Sequence, residues 1–191
     1  MVSTALHTES PPMNELELAR AALVDAQAFA ELYRRHVTRV YRYHMARTGN
    51  EKDAEDLTSQ TFMAALEGIR SFRGDGVFAA WLMGIASKKL ALFYRGRRVE
   101  VPLEAALNVP ATGAATEKSA AMRMQVESVA RALNQLSPDR AEAVALVHFS
   151  GLTNAEAASA LGKSEAAVKM LVSRGLQDLR ERTSLALEVE Q

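Results

Sequence analysis

Apolar residues recur at helical spacing along most of the chain, and no stretch shows the apolar–polar alternation of a half-buried strand. Asp25 can cap a helix over about 26–47, and Asn50 can cap a second one. A third helix follows the turn at 71–76 and extends to about Arg95. The sequence therefore predicts an all-α protein.

A segment rich in small residues, with two prolines and no helical period, interrupts this pattern at 99–119. It predicts a flexible linker between two small helical bundles, of which the C-terminal one is a helix-turn-helix domain. The predicted parts are a poorly ordered N-terminal segment at 1–25, a bundle at 26–98, the linker at 99–119, a second bundle at 120–183 and a tail at 184–191.

The composition limits the class of protein. Hydrophobic residues make up 48% of the chain, enough for packed cores, and the absence of cysteine excludes disulfides and thiolate metal sites. The four histidines are scattered, so we expect no metal and no cofactor. No secretory signal or bilayer-spanning stretch can be recognised, and we expect a cytoplasmic protein without membrane insertion.

The formal net charge is zero, but the charges are segregated along the chain. Residues 28–98 carry a net charge of +6, whereas residues 1–27, 99–120 and 121–191 carry −3, −2 and −1. Because local fields steer phosphate groups, the neutral total does not argue against a nucleic-acid partner.

Residues 153–176 have the pattern of a helix-turn-helix. Thr153 and Glu156 form a capping box, Gly162 permits a left-handed turn, and Ser164 can cap the second helix. In such motifs the second helix lies in the major groove of duplex DNA. Basic side chains on this helix can contact bases or phosphates, and phosphate contacts are the commoner. The predicted DNA-facing residues are Ser164, Glu165, Ala167, Lys169, Ser173 and Arg174.

Aromatic and basic residues are concentrated around the turn at 71–77. Phe72, Arg73, Phe78 and Trp81 could hold unstacked bases of a single strand, although the spacing of Trp81 fits a core position better. Five bases with no acid among them follow between Ile85 and Val99, suited to tracking phosphates or to solubilising a helix end. They are Lys88, Lys89, Arg95, Arg97 and Arg98.

Four long segments in this order resemble the extracytoplasmic-function (group IV) sigma factors of bacterial RNA polymerase. They are DAEDLTSQTFMAAL (53–66), RSFRGDGVFAAWLMGIA (70–86), FYRGRR (93–98) and the stretch from LNQLSPDR to LQDLR (133–180). The resemblance covers roughly residues 26–182.

The resemblance implies a sigma factor that binds core RNA polymerase through the clamp coiled coil of the largest subunit and through the flap. It implies recognition of promoter DNA, with the helix-turn-helix on the −35 element and the loop, including Asp75, together with the aromatic and basic residues above on the −10 element. It implies docking through Asp53, Asp56, Gln60 and Met63, which without the family would be taken as a solvated acidic face. It also implies an anti-sigma partner.

Two other functions compete with this interpretation. The first is an ordinary helix-turn-helix regulator whose N-terminal half senses a ligand or dimerises. The second is an enzyme, which the sequence disfavours because it contains no phosphate-binding glycine loop, metal constellation or Ser/His/Asp set.

Overall fold

A computed structural model describes residues 13–74, 76–100 and 117–189, and all regular structure in these ranges is helical. The predicted all-α class is confirmed. The eight α-helices of the described residues are α1 (Glu15–Ala21), α2 (Ala26–Thr48), α3 (Glu51–Gly68), α4 (Phe78–Glu100), α5 (Glu117–Asn134), α6 (Pro138–Val144), α7 (Asn154–Leu161) and α8 (Glu165–Val189).

Local signals set the ends of the central helices. The Asp25 carboxylate accepts a hydrogen bond from the Gln27 amide and caps α2, and the Asn50 side chain caps α3 through the Asp53 amide. A 3₁₀ turn at Ile69–Ser71 ends α3, and a π-helical turn at Ala145–Phe149 extends α6. The N-terminal caps of α2 and α3 are those that the sequence predicts.

The helix α1 corrects the prediction for the N-terminal segment, where the sequence predicts poor order up to residue 25. Asn14 and Glu17 form a capping box, and Leu18, Ala19 and Ala22 are buried. A helix of seven residues is not stable by itself, so its packing against α2 and α4 holds it in place.

Two further boundaries differ from the prediction. Helix α8 continues to Val189 through the predicted tail, because no glycine or proline follows Gly175 to end it. The predicted linker is shorter than expected, because its first residues belong to α4 and its last residues belong to α5. Residues 101–116 lie outside the described residues.

The two predicted bundles pack against each other, which the sequence does not predict. Helix α2 contacts α5 and the π-helical turn, and α4 contacts α7. One apolar core runs through both bundles, from Leu32, Tyr43 and Leu82 to Leu146 and Val168. We call residues 13–100 the N-terminal unit and residues 117–189 the C-terminal unit.

Buried polar groups connect the two units. The Tyr43 hydroxyl donates a 2.5 Å hydrogen bond to Glu142, which also forms an ion pair with Arg47. Burial, reinforced by the Glu142 carboxylate, raises the pKa of Tyr43 well above its usual value of 10.0, so the hydroxyl stays a donor. Gly84 of α4 lies so close to α7 that a Cβ there would be 3.3 Å from the Ala160 carbonyl oxygen.

A buried histidine lies inside the N-terminal unit. Thr61 donates its hydroxyl proton to the Leu57 carbonyl, so its oxygen accepts the hydrogen bond from His44 Nε2 at 3.1 Å. Burial lowers the pKa of His44 from 6.5 to about 3, with a smaller contribution from Arg47. His44 is therefore neutral at pH 7.

None of the helices in the described parts of the chain is both long and apolar enough for a transmembrane span.

Candidate nucleic-acid interface

Three aromatic rings form a cluster at the loop between α3 and α4. Phe72, Phe78 and Trp81 lie with ring centroids 5.4–5.6 Å apart, and Phe72 meets Phe78 edge to face. Phe78 is buried, whereas Phe72 and Trp81 are half-buried and keep an exposed part. The spacing of Trp81 predicts a core position, but the side chain is only half-buried and also lines the surface.

An open cavity of about 390 Å³ lies beside this cluster. Phe72, Arg73, Trp81 and Lys88 line it from the N-terminal unit, and Ser159 and Ala160 of α7 close its far side. Arg73 and Lys88 are exposed. Aromatic faces next to basic side chains can stack an unpaired base and neutralise its phosphate.

The basic end of α4 is partly engaged within the chain. The Arg97 guanidinium lies 4.8 Å from the centre of the Phe93 ring and 3.2 Å from the Asp53 carboxylate. Arg95 is exposed and Lys89 is half-buried. Asp75 and the side chain of Arg98, both predicted to face DNA, lie outside the described residues.

The predicted docking residues of α3 do not all share one surface. Asp56, Gln60 and Met63 are exposed along one face, whereas Asp53 is half-buried beneath Arg97. Sequence reasoning missed Leu66, which continues this face and is 51% exposed, close to the 64% of Met63. The spacing of three residues from Met63 is the signal that could have identified it.

The helix-turn-helix is formed as predicted. Glu156 donates its amide proton to Thr153 Oγ1 at 3.2 Å, and the Thr153 amide donates to the Glu156 carboxylate at 2.7 Å. Gly162 ends α7 in the left-handed region, with φ 62°. The Ser164 hydroxyl caps α8 by accepting a hydrogen bond from Ala167 at 3.2 Å. Buried Ala157, Ala158, Val168 and Val172 join the two helices to the core.

The second helix of the motif presents most of its predicted residues to solvent. Ser164, Glu165, Lys169, Ser173 and Arg174 are exposed, and Ala167 is half-buried. The Lys169 ammonium lies 2.7 Å from the Glu165 carboxylate one turn earlier. A strong phosphate contact by Lys169 would therefore have to compete with Glu165.

Residues outside the predicted set also surround this helix. An open cavity of about 560 Å³ is lined by Ser164, Ala167 and Arg174 together with Arg140 and Lys163. Arg140 pairs with Asp178, and Lys163 lies 3.2 Å from Asp139. Sequence reasoning missed Arg140 because α6 is distant from α8 along the chain.

Comparison with known proteins identifies the family. Residues 32–99 match Sigma-70 region 2, and residues 127–179 match Sigma-70 region 4. The ECF RNA polymerase sigma factor BldN of Streptomyces coelicolor is 35% identical over 92% of this chain and 67% of its own length. The chain belongs to the ECF sigma factors. It is an alternative sigma factor, and the resemblance seen in the sequence is confirmed.

Two solved structures of sigma factors share the fold. CnrH in complex with the cytosolic domain of CnrY is 28% identical, covering 93% of this chain and 99% of that one, with a TM-score of 0.71. RpoE in complex with the anti-sigma factor NepR from Bartonella quintana is 26% identical, covering 82% of this chain and 96% of that one, with a TM-score of 0.60. Both aligned regions extend across the N- and C-terminal units.

Proposed function

We propose that this sigma factor binds core RNA polymerase, recognises the −10 and −35 promoter elements and promotes opening of the DNA. The observation that carries the proposal is the half-exposed aromatic cluster of Phe72 and Trp81 beside Arg73 and Lys88. Such a surface is of little use on paired bases and suits bases that have left the stack.

The aromatic cluster takes the −10 element in this proposal. A base flipped from the duplex would stack against the exposed part of Phe72 or Trp81, and Arg73 and Lys88 would hold its neighbouring phosphates. Arg95 would extend this basic track along α4.

The helix-turn-helix takes the −35 element. Helix α8 would enter the major groove with Ser164, Glu165, Lys169, Ser173 and Arg174 toward the base edges and backbone. Arg140 and Lys163, at the edge of the same cavity, would contact phosphates and orient the helix.

The exposed face of α3 takes core polymerase. Met63 and Leu66 give it an apolar centre, and Asp56 and Gln60 give it an acidic and polar edge suited to a basic helical partner. Asp53 enters this contact only if it gives up Arg97.

An anti-sigma factor is the second protein partner that we infer. RpoE was solved with the anti-sigma factor NepR, and the shared fold extends through both units of this chain. We place the chain in the cytoplasm, where core polymerase acts.

Transcription with purified core polymerase tests the proposal. Core polymerase with this chain should initiate at new start sites, and run-off mapping would give the promoter. Met63→Glu should abolish both core binding and these transcripts, because a charge enters the apolar centre of the docking face. Met122→Glu, at a residue of α5 that is 61% exposed, is the matched control and should change neither.

A gel shift separates this function from that of a free-standing regulator. The mapped promoter should shift only when core polymerase is present, because the chain has no net charge and its −10 surface needs a melted strand. Tight binding of the free chain to a palindromic duplex would contradict the proposal.

A further inference from the structure

Helix α1 has no part in the proposed function so far, yet it packs beside the surface that takes the −10 element. Leu18 and Ala19 fix one side of it in the core, and the Met13 carbonyl accepts a 3.1 Å hydrogen bond from Arg35 of α2. Two further contacts lead to Gly74 of the loop and to the aromatic cluster.

The first of these contacts is made by Leu16. Gly74, in the middle of the loop, has a φ of +78°, and a Cβ added there would lie 2.5 Å from Leu16 Cδ1. The isobutyl side chain of Leu16 therefore rests directly on the backbone of the loop. The left-handed backbone favours glycine at this position, and a larger residue would also displace the Leu16 methyl group.

The second contact passes through a buried histidine. The Glu15 carboxylate lies 3.1 Å from His36 Nε2, and the His36 ring lies 5.3 Å from the Phe78 ring. Phe78 is the buried member of the aromatic cluster. Glu15 thus supports, through His36, the ring on which Phe72 and Trp81 pack.

These two contacts restrain the two parts of the surface that we propose for the −10 element. Leu16 restrains the loop at Gly74, and Glu15 restrains the ring of Phe78 through His36. The loop contains two glycines and no proline between Phe72 and Phe78, so its sequence leaves it conformationally free. Without α1, bases leaving the duplex would have to order the loop at the moment of opening. With α1 in place, the backbone at Gly74 is held beforehand, which would lower the barrier to opening.

We propose that α1 positions the promoter-opening loop, with Leu16 as the main positioning residue and Glu15 as the second. In this role neither residue has to touch DNA. The proposal rests on the proposed role of the loop at the −10 element, and it gives the N-terminal segment a task in DNA opening.

The test compares two templates with reconstituted polymerase carrying Leu16→Ala. One is the promoter mapped by run-off, and the other is the same promoter with unpaired bases across the −10 element. We expect open complexes to form about 10-fold more slowly on the duplex, below the roughly 100-fold that a 1 Å misplacement of a reacting group can cost, and at close to the wild-type rate on the pre-melted template. Core binding should be unchanged.

Two further variants complete the test. Glu15→Gln should show the same template dependence with a smaller effect. Because Glu15 is partly exposed, this variant should fold, and it tests the proposal even if Leu16→Ala does not fold. Val24→Ala is the matched control, since Val24 is 94% exposed and follows the same helix. It should behave as the wild type on both templates.

Several results would overturn the proposal. They are equal losses on the two templates, a loss of core binding by Leu16→Ala, and wild-type opening of the duplex by both Leu16→Ala and Glu15→Gln. Failure of the wild type itself to open the duplex with core polymerase would instead refute the proposed function of the loop.

Discussion

The two candidate DNA-binding surfaces are built in opposite ways. At the −10 surface, rings from the loop and α4 are half-buried and are supported by α1 and α2 across the fold. At the second helix of the helix-turn-helix, five of the six candidate side chains are exposed, and Glu165 pairs with Lys169 within one turn.

This contrast fits the two tasks that we propose. A base that has left the duplex needs a rigid apolar platform, and such a platform needs a core behind it. A helix that reads paired bases needs only an exposed row of polar side chains at the right angle. The rings proposed to take the −10 element therefore depend on tertiary contacts for their own position, whereas the DNA-facing side chains of α8 project from a helix whose opposite face is packed in the core.

The largest expected effect concerns the platform. Phe78→Ala should lower the free energy of unfolding by about 3–5 kcal/mol, because it removes a buried ring from the cluster. Ser173→Ala, on the exposed face of α8, should change the free energy of unfolding by less than about 0.5 kcal/mol. Urea denaturation followed by circular dichroism measures both. Similar losses for the two variants would break the contrast.

The next effect is the acid sensitivity of the N-terminal unit. His44 binds a proton in the unfolded chain near pH 6.5 but in the folded chain only near pH 3, so stability is lost as the pH falls from 6.5 toward 3. We expect His44 to account for about 2 kcal/mol of stability lost between pH 7 and pH 5, at about 1.4 kcal/mol per unit. In His44→Gln the side chain at this position cannot titrate, so the variant should not show this part of the loss in unfolding free energy. Equal pH dependence of wild type and variant, measured by urea denaturation, would refute the assignment.

The smallest effect sharpens the local side of the comparison. Thr153→Ala removes the capping box of α7 and should cost about 1 kcal/mol of unfolding free energy. Thr38→Ala, at an exposed position of α2, is the control and should cost less than about 0.5 kcal/mol. A loss for Thr153→Ala no larger than that of the control would show that tertiary packing, and not the cap, holds α7.

The same contrast explains what could be predicted from the sequence. Thr153, Gly162 and Ser164 act within a few residues of their partners, so their spacing alone predicts the helix-turn-helix. Helix α1 is too short to show a helical period, and it is held by residues far along the chain, such as Gly74, which lies 58 positions after Leu16. Local pattern carries no information about such contacts.

The candidate sites divide along the same line. The exposure of Asp56, Gln60 and Met63 agrees with the sequence interpretation, because one helical face follows from spacing. The pairing of Asp53 with Arg97 could not be predicted, because it joins the start of α3 to the end of α4. Packing between the two units was also missed, since the intervening segment looks like a tether.

The approach of Gly84 to α7 has a consequence for how this protein can evolve. The atom that a larger residue at position 84 would meet is the carbonyl oxygen of Ala160, which belongs to the backbone. No substitution at position 160 removes that oxygen, so a change at one position cannot be compensated at the other. The contact disfavours any residue larger than glycine at position 84 unless α4 and α7 move apart by a few tenths of an ångström, and it would leave no trace as a pair of covarying positions.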